Sequence, residues 1–141
     1  AGRVPEGGMG RQLKGATVGI IGYGEIGEYL APLCVALGMT VLIADPFKTV
    51  RKPGLTQVSQ GDLLARSDFV VCLAIANEQT ENLMNPAAFS RMKPTAFFIN
   101  LSRGNLVDEA ALAAALDGKQ IAGAAPDVAR AQAQRPPPFP A

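Results

Sequence analysis

Five short stretches of the chain, Thr17–Ile21, Thr40–Ala44, Phe69–Ala74, Ala96–Asn100 and Ile121–Ala125, are dominated by apolar and β-branched residues and bounded by turn-forming ones. Runs that are apolar throughout, rather than at alternate positions, predict strands buried on both faces. A shorter strand is expected near Thr56–Val58. Helical spacing appears between these runs. Ile26, Leu30, Leu33 and Leu37 predict a helix over Ile26–Leu37, stopped by Gly38, with a kink or distorted turn at Pro32. A helix is expected at Gly61–Arg66. Asn85 followed by Pro86 is an N-cap with proline at the first helical position, opening a helix through Met92. Asp108 caps another, which holds Leu112 and Leu116 and closes at Gly118. Strands buried on both faces and alternating with helices predict an α/β protein: a doubly wound parallel sheet in three α/β/α layers.

Composition narrows what such a domain can do. At 141 residues there is room for one domain with a real core. Hydrophobic residues make up 48% and charged residues 18%, too apolar for a disordered chain. Thirteen basic against twelve acidic residues leave +1, which gives no pointer to nucleic acid. The longest apolar run, Phe69–Ala76, is eight residues, far under the roughly 18 of a membrane helix. No signal-peptide pattern opens the chain. Cys34 and Cys72 sit in apolar stretches and read as buried thiols of a reducing, cytoplasmic compartment. The chain has no histidine, so it supplies no imidazole acid/base, no histidine metal ligand and no Ser-His-Asp triad. Glycine-rich residues 1–14 are expected to be a linker or covering segment, 15–128 the folded unit, and proline-rich 129–141 a linker.

The stretch Gly22-Tyr-Gly24-Glu25-Ile26-Gly27 matches G-x-G-x-x-G. It follows a predicted strand, opens a predicted helix, and the next strand ends in Asp45, 18 residues beyond Gly27. That context is the Rossmann-type dinucleotide fingerprint. Gly22 permits the tight turn, Gly24 lets backbone approach a pyrophosphate, and Gly27 lets helix and strand pack closely. The N–H groups of the helix start face the phosphates. Asp45 can accept hydrogen bonds from both adenosine ribose hydroxyls and would repel a 2′-phosphate. NAD is therefore favoured over NADP, with Lys48 and Arg51 near enough in sequence to soften the discrimination. Two other readings use the same turn: a loop serving close packing only, and S-adenosylmethionine binding.

Met92-Lys-Pro-Thr-Ala-Phe-Phe-Ile-Asn-Leu-Ser-Arg-Gly-Asn-Leu-Val-Asp108 places Ser102, Arg103 and Gly104 at the carboxyl end of a buried strand, where ligands of open α/β sheets bind. Arg103 there can fork two hydrogen bonds onto a carboxylate and polarise a neighbouring carbonyl. Equally, it can be a solvated loop residue or pair with Asp108.

Taken together, these motifs resemble the NAD-binding domain of the D-isomer-specific 2-hydroxyacid dehydrogenases, the group of phosphoglycerate, D-lactate and glyoxylate/hydroxypyruvate enzymes. The resemblance rests on Leu13-Lys-Gly-Ala-Thr-Val-Gly-Ile-Ile-Gly22-Tyr-Gly24-Glu-Ile-Gly27, on Asp45-Pro46, and on Ser67-Asp68-Phe-Val-Val with Thr80. It continues through Met92–Pro94, Arg103-Gly104, Val107–Leu112, Ile121–Ala124 and Asp127-Val128. A match of this length removes most of the methyltransferase reading. It implies hydride transfer between the nicotinamide C4 and C2 of a 2-hydroxy or 2-keto acid. By similarity Arg103 is the catalytic arginine and Asp127 bonds the nicotinamide amide. Ala74, Thr80, Leu101 and Ser102 join Gly22, Gly24, Glu25, Ile26, Gly27, Asp45 and Pro46 as expected cofactor contacts. The family's nucleotide domain is inserted in a substrate domain and commonly forms a homodimer contact. For Asp68 the residues alone suggest a helix-to-strand turn.

The chain also departs from the family pattern. The family's acid/base pair is a histidine with a glutamate; no histidine is present, and the glutamate position, five residues after Asp127, is Gln132. Glutamine cannot carry the charge that raises an imidazole pKa. The formate dehydrogenase branch also has glutamine there. Ile75 and Glu78 stand where the family often has proline. The expectation is NAD binding without turnover by this chain alone, since losing a general acid costs about 10²–10⁴ in rate. Alternatives are a non-catalytic NAD(H)-responsive module and a truncated product without independent function.

Overall fold

The computed structural model describes residues 13–75, 80, 82–102 and 106–125. In chain order these form β1 (Thr17–Ile21), α1 (Glu25–Ala36), β2 (Thr40–Ala44), β3 (Leu55–Gln57), α2 (Gln60–Arg66), β4 (Phe69–Cys72), α3 (Pro86–Arg91), β5 (Phe97–Asn100), α4 (Glu109–Asp117) and β6 (Gly123–Ala125). The six strands make one sheet in the order β3-β2-β1-β4-β5-β6, and every pairing is parallel. This is the Rossmann strand order. Of the expected flanks, only Leu13 and Lys14 lie within the described residues.

Side chains of successive strand residues enter two separate cores. Ile21, Leu42, Val70, Cys72 and Phe98 pack with Leu63 and Leu64 of α2, Phe89 of α3, and Ala111 and Ala115 of α4. Val18, Ile20, Val41, Ile43 and Val71 pack on the other face with Ala31 and Cys34 of α1. Helices therefore cover both faces, as expected. Among the described residues the cover is uneven, with three helices on one face and one on the other.

Two polar caps work as read: Asn85 accepts from the Ala88 N–H at 2.9 Å and Asp108 accepts from the Ala111 N–H at 3.1 Å. Ser59, which sequence reasoning did not single out, caps α2 in the same way, accepting from the Asp62 N–H at 3.2 Å. Two details differ. The face that α1 buries is Gly27, Ala31 and Cys34, while Ile26, Leu33 and Leu37 point outward beside Tyr29. Close approach of the helix to β1 and β2 selects small residues, so the larger apolar stripe is left outside. Nor does Pro32 interrupt α1. It is exposed, as is Glu28, whose carbonyl loses the helical partner that proline cannot supply. Strand β4 stops at Cys72 rather than Ala74, because Ala74 lies against the turn at Gly22, where β1 leaves the sheet.

Candidate functional site

Neighbouring strands β1 and β4 send the chain to opposite faces of the sheet, and a crevice opens where they part. It is a cleft of about 450 Å³ outside the carboxyl ends of β1, β2 and β4. The walls come from Ile21, Gly22, Tyr23 and Gly24 on one side, Ala44 to Lys48 on another, and Leu73, Ala74, Ile75, Thr80 and Leu83 on the third; Val58, Ser59 and Gln60 close the floor.

The three glycines differ in what the fold asks of them. Gly22 has φ +95°, and a methyl group there would sit 2.7 Å from the backbone N and Cα of Ala74. Both conformation and contact require glycine. A methyl on Gly27 would meet the Gly22 carbonyl oxygen at 3.1 Å and the Tyr23 ring at 3.3 Å, so this position serves close packing. Gly24 is different: its φ is −98° and a methyl would meet nothing within 4 Å. The protein itself has no use for a glycine there. Gly24 is also the N-cap of α1, without a side-chain cap, and the first helical bond runs from the Glu28 N–H to the Gly24 carbonyl at 2.9 Å. The N–H groups of Glu25, Ile26 and Gly27 precede that bond and have no acceptor within the helix. An anion brought close over Gly24 would find them.

Asp45 ends β2 at the other side of the cleft. Its Oδ2 accepts from the Tyr23 N–H at 2.8 Å, and its Oδ1 accepts from the N–H groups of Phe47 at 2.8 Å and Lys48 at 3.2 Å. The carboxylate thus ties the glycine turn to the loop after β2. Three of its roughly four lone-pair sites are filled. In this geometry it has capacity for one further hydroxyl, where the sequence suggested two.

Opposite the glycine turn, Thr80 is buried, and its hydroxyl donates to the Ile75 carbonyl at 2.8 Å, closing the loop that leaves β4. Ile75 is 80% exposed and Phe47 is 66% exposed, and both line the cleft. At the end of β5 the Leu101 N–H donates to the Cys72 carbonyl at 3.0 Å, and the Ser102 N–H and hydroxyl both donate to Asn100 Oδ1. Burial pushes the Cys72 thiol pKa up, with the neighbouring Ser102 side chain and Ala74 N–H opposing it. That thiol is structural rather than reactive.

The structure brings Gly22, Gly24, Asp45, Pro46, Ala74 and Thr80 to one cleft. Glu25, Ile26 and Gly27 form the first turn of α1 beside it. Leu101 and Ser102 share the carboxyl edge of the sheet without lining this cleft. Arg103 and Asp127 lie outside the described residues, as do Glu78 and Gln132. Sequence reasoning missed Tyr23, Phe47, Ser59, Gln60 and Leu83 as wall residues. Position alone could have found Phe47, two residues beyond Asp45 and apolar in a polar stretch. Among the described residues there is no cluster of metal-ligating side chains, and no helix is long and apolar enough to cross a membrane.

A family model described as the D-isomer specific 2-hydroxyacid dehydrogenase NAD binding domain matches residues 1–140. The chain is 38% identical to D-3-phosphoglycerate dehydrogenase of Synechocystis over 123 residues, 85% of this chain and 22% of that enzyme. D-lactate dehydrogenase of Lactobacillus jensenii, solved with NAD⁺, superposes with a TM-score of 0.77 at 33% identity, covering 86% of this chain and 37% of that one. An acyclic imino acid reductase in complex with NADPH and D-arginine gives a TM-score of 0.77 at 32% identity, with 88% and 40% covered. The chain spans well under half the length of each of these proteins. With its strand order, its glycine turn and this match over nearly every residue, the chain belongs to the NAD-binding domain family of the D-isomer specific 2-hydroxyacid dehydrogenases.

Proposed function

We propose that this chain is the nucleotide-binding part of an oxidoreductase that exchanges hydride between NAD(H) and a 2-hydroxy or 2-keto acid. The observation that carries the reading is Gly24, a glycine with open space where its side chain would be, set at an uncapped helix start in the cleft outside the carboxyl ends of β1, β2 and β4. A dinucleotide fits these residues. Its pyrophosphate takes the place over Gly24 and accepts from the first-turn N–H groups of α1. Asp45 accepts from an adenosine ribose hydroxyl and repels a 2′-phosphate, which favours NAD over NADP. The apolar side chains of Phe47, Val58 and Leu83 exclude water from the adenine end. When bound, the nicotinamide supplies the hydride chemistry. By family resemblance Arg103 holds the substrate carboxylate and its C2 oxygen through a forked pair of hydrogen bonds, and Asp127 accepts from the nicotinamide amide.

Without histidine, the chain provides no imidazole to move the C2 hydroxyl proton. Turnover therefore requires a segment that brings an acid/base and a wall for the substrate, and the 141 residues alone bind cofactor without reacting. Two further features extend the reading. The outward stripe of Ile26, Tyr29 (75% exposed), Leu33 and Leu37 on α1 supports a homodimer contact through this domain. The two buried, unpaired thiols support a cytoplasmic location.

The test is a titration of the 141-residue chain with NADH and NADPH, read by calorimetry. Saturable NADH binding, with NADPH clearly weaker, is the expected result. Absence of binding by either dinucleotide refutes the reading.

A further inference from the structure

The loop from Asp45 to Val50 shapes one wall of the cleft, and one side chain outside the cleft holds it. Gln57 is the last residue of β3. Its Nε2 donates to the Lys48 carbonyl at 2.7 Å and to the Asp45 carbonyl at 3.2 Å, and its Oε1 accepts from the Val50 N–H at 2.9 Å. These partners define the amide orientation. Turned over, it would set its NH₂ against an N–H and its oxygen against two carbonyls. Three points of the loop backbone are thereby pinned to a strand of the sheet. Between those points lie the N–H groups of Phe47 and Lys48, which hold Asp45 Oδ1.

We infer that Gln57 is a positioning residue for cofactor choice: it holds the 45–50 loop so that the Asp45 carboxylate is oriented in advance for an unphosphorylated ribose. The inference rests on the functional reading above and deepens it. The Tyr23 N–H holds one Asp45 oxygen from outside the loop, and the N–H groups of Phe47 and Lys48, which the loop carries, hold the other. Discrimination by Asp45 against a 2′-phosphate depends on the charge staying in place, because Lys48 already lines the same cleft and would favour that phosphate if the carboxylate moved away. A loop released from Gln57 samples arrangements in which Asp45 no longer faces the ribose, and apparent affinity falls with the competent fraction. Gln57 is exposed and outside both cores, so its replacement leaves the packing intact.

The experiment compares the wild-type chain with Gln57→Ala and Gln57→Glu, titrated with NADH and with NADPH. Glutamate keeps an acceptor for Val50 but turns both donors into acceptors facing carbonyl oxygens. With three modest hydrogen bonds removed, NADH affinity is expected to fall about tenfold in Gln57→Ala and at least as far in Gln57→Glu. NADPH affinity is expected to change by less than about twofold, so the preference narrows. Amide hydrogen exchange of the unliganded proteins supplies the second readout. Val50 must exchange faster in Gln57→Ala because its acceptor is gone. Phe47 and Lys48, which bond to Asp45, exchange faster only if Gln57 holds the whole loop. An unchanged ratio of the two affinities overturns the inference, whether both fall together or neither moves, as does faster exchange confined to Val50. If the wild-type chain binds neither dinucleotide, the functional reading fails and the inference fails with it.

Discussion

Asp45 and Asp68 mark opposite ends of the sheet, and their surroundings differ in kind. At the amino end, the Asp68 N–H donates to the Thr17 carbonyl at 2.8 Å, its Oδ2 accepts from the Thr17 N–H at 2.8 Å, and its carbonyl accepts from the Phe97 N–H at 2.9 Å. Its remaining oxygen pairs with the Lys93 ammonium at 3.1 Å. Three strands are stitched together there and the charge is neutralised. At the carboxyl end, Asp45 also collects backbone N–H groups, but no lysine or arginine among the described residues pairs with it. A negative charge and an uncapped helix start are left facing a cleft. The amino end completes itself, whereas the carboxyl end is built around chemistry that the protein does not provide.

The sharpest way to break that contrast is at the turn. Gly22→Ala forces a left-handed backbone on alanine and drives its methyl into the backbone of Ala74. The expected loss is about 2–4 kcal/mol of unfolding free energy, measured by urea denaturation. Gly24→Ala separates function from fold. With open space for the methyl, stability should stay within about 0.5 kcal/mol of wild type. NADH affinity should fall by about tenfold or more, since the methyl stands where backbone approaches the ligand. Comparable destabilisation by both substitutions would mean that the cleft end is as purely structural as the amino end.

The parts legible in the sequence were those governed by local rules. Uninterrupted apolar runs identified the strands, and Asn85, Asp108 and the glycine turn marked helix starts, because each depends on residues within a few positions. The burial of α1 was not legible. Which stripe faces the sheet depends on how closely helix and strand approach, and that favoured Gly27, Ala31 and Cys34 over the larger Ile26, Leu33 and Leu37. Gln57 was also silent, since an exposed glutamine in a short strand carries no periodic signal. Its three partners, seven to twelve residues away, come together only once the loop folds back. Asp68 does sit in the helix-to-strand turn between α2 and β4, as the sequence suggests, but its bond to Thr17, 51 residues distant, ties that turn to the sheet, which no local rule reveals.

The smallest effect, and the one that tests the amino end by itself, is in acid. Burial pushes the Asp68 carboxyl pKa up, but the Thr17 N–H and the Lys93 ammonium outweigh it, leaving the group below the ordinary carboxylate value. A carboxyl with a depressed folded-state pKa contributes stability that is fully present above its unfolded value, near 3.9, and is lost as pH falls through the folded one. Denaturation midpoints of wild type and Asp68→Asn should therefore differ most at neutral pH and converge below about pH 4. Lys93→Met removes the ammonium and keeps the Thr17 N–H, so the acid limb of the wild-type curve should move to higher pH. The change at neutral pH should stay within about 1 kcal/mol, because the pair is partly solvated. An Asp68→Asn difference that stayed constant from neutral to acid pH would show that shape rather than charge holds this end of the sheet. The contrast with Asp45 would then reduce to geometry.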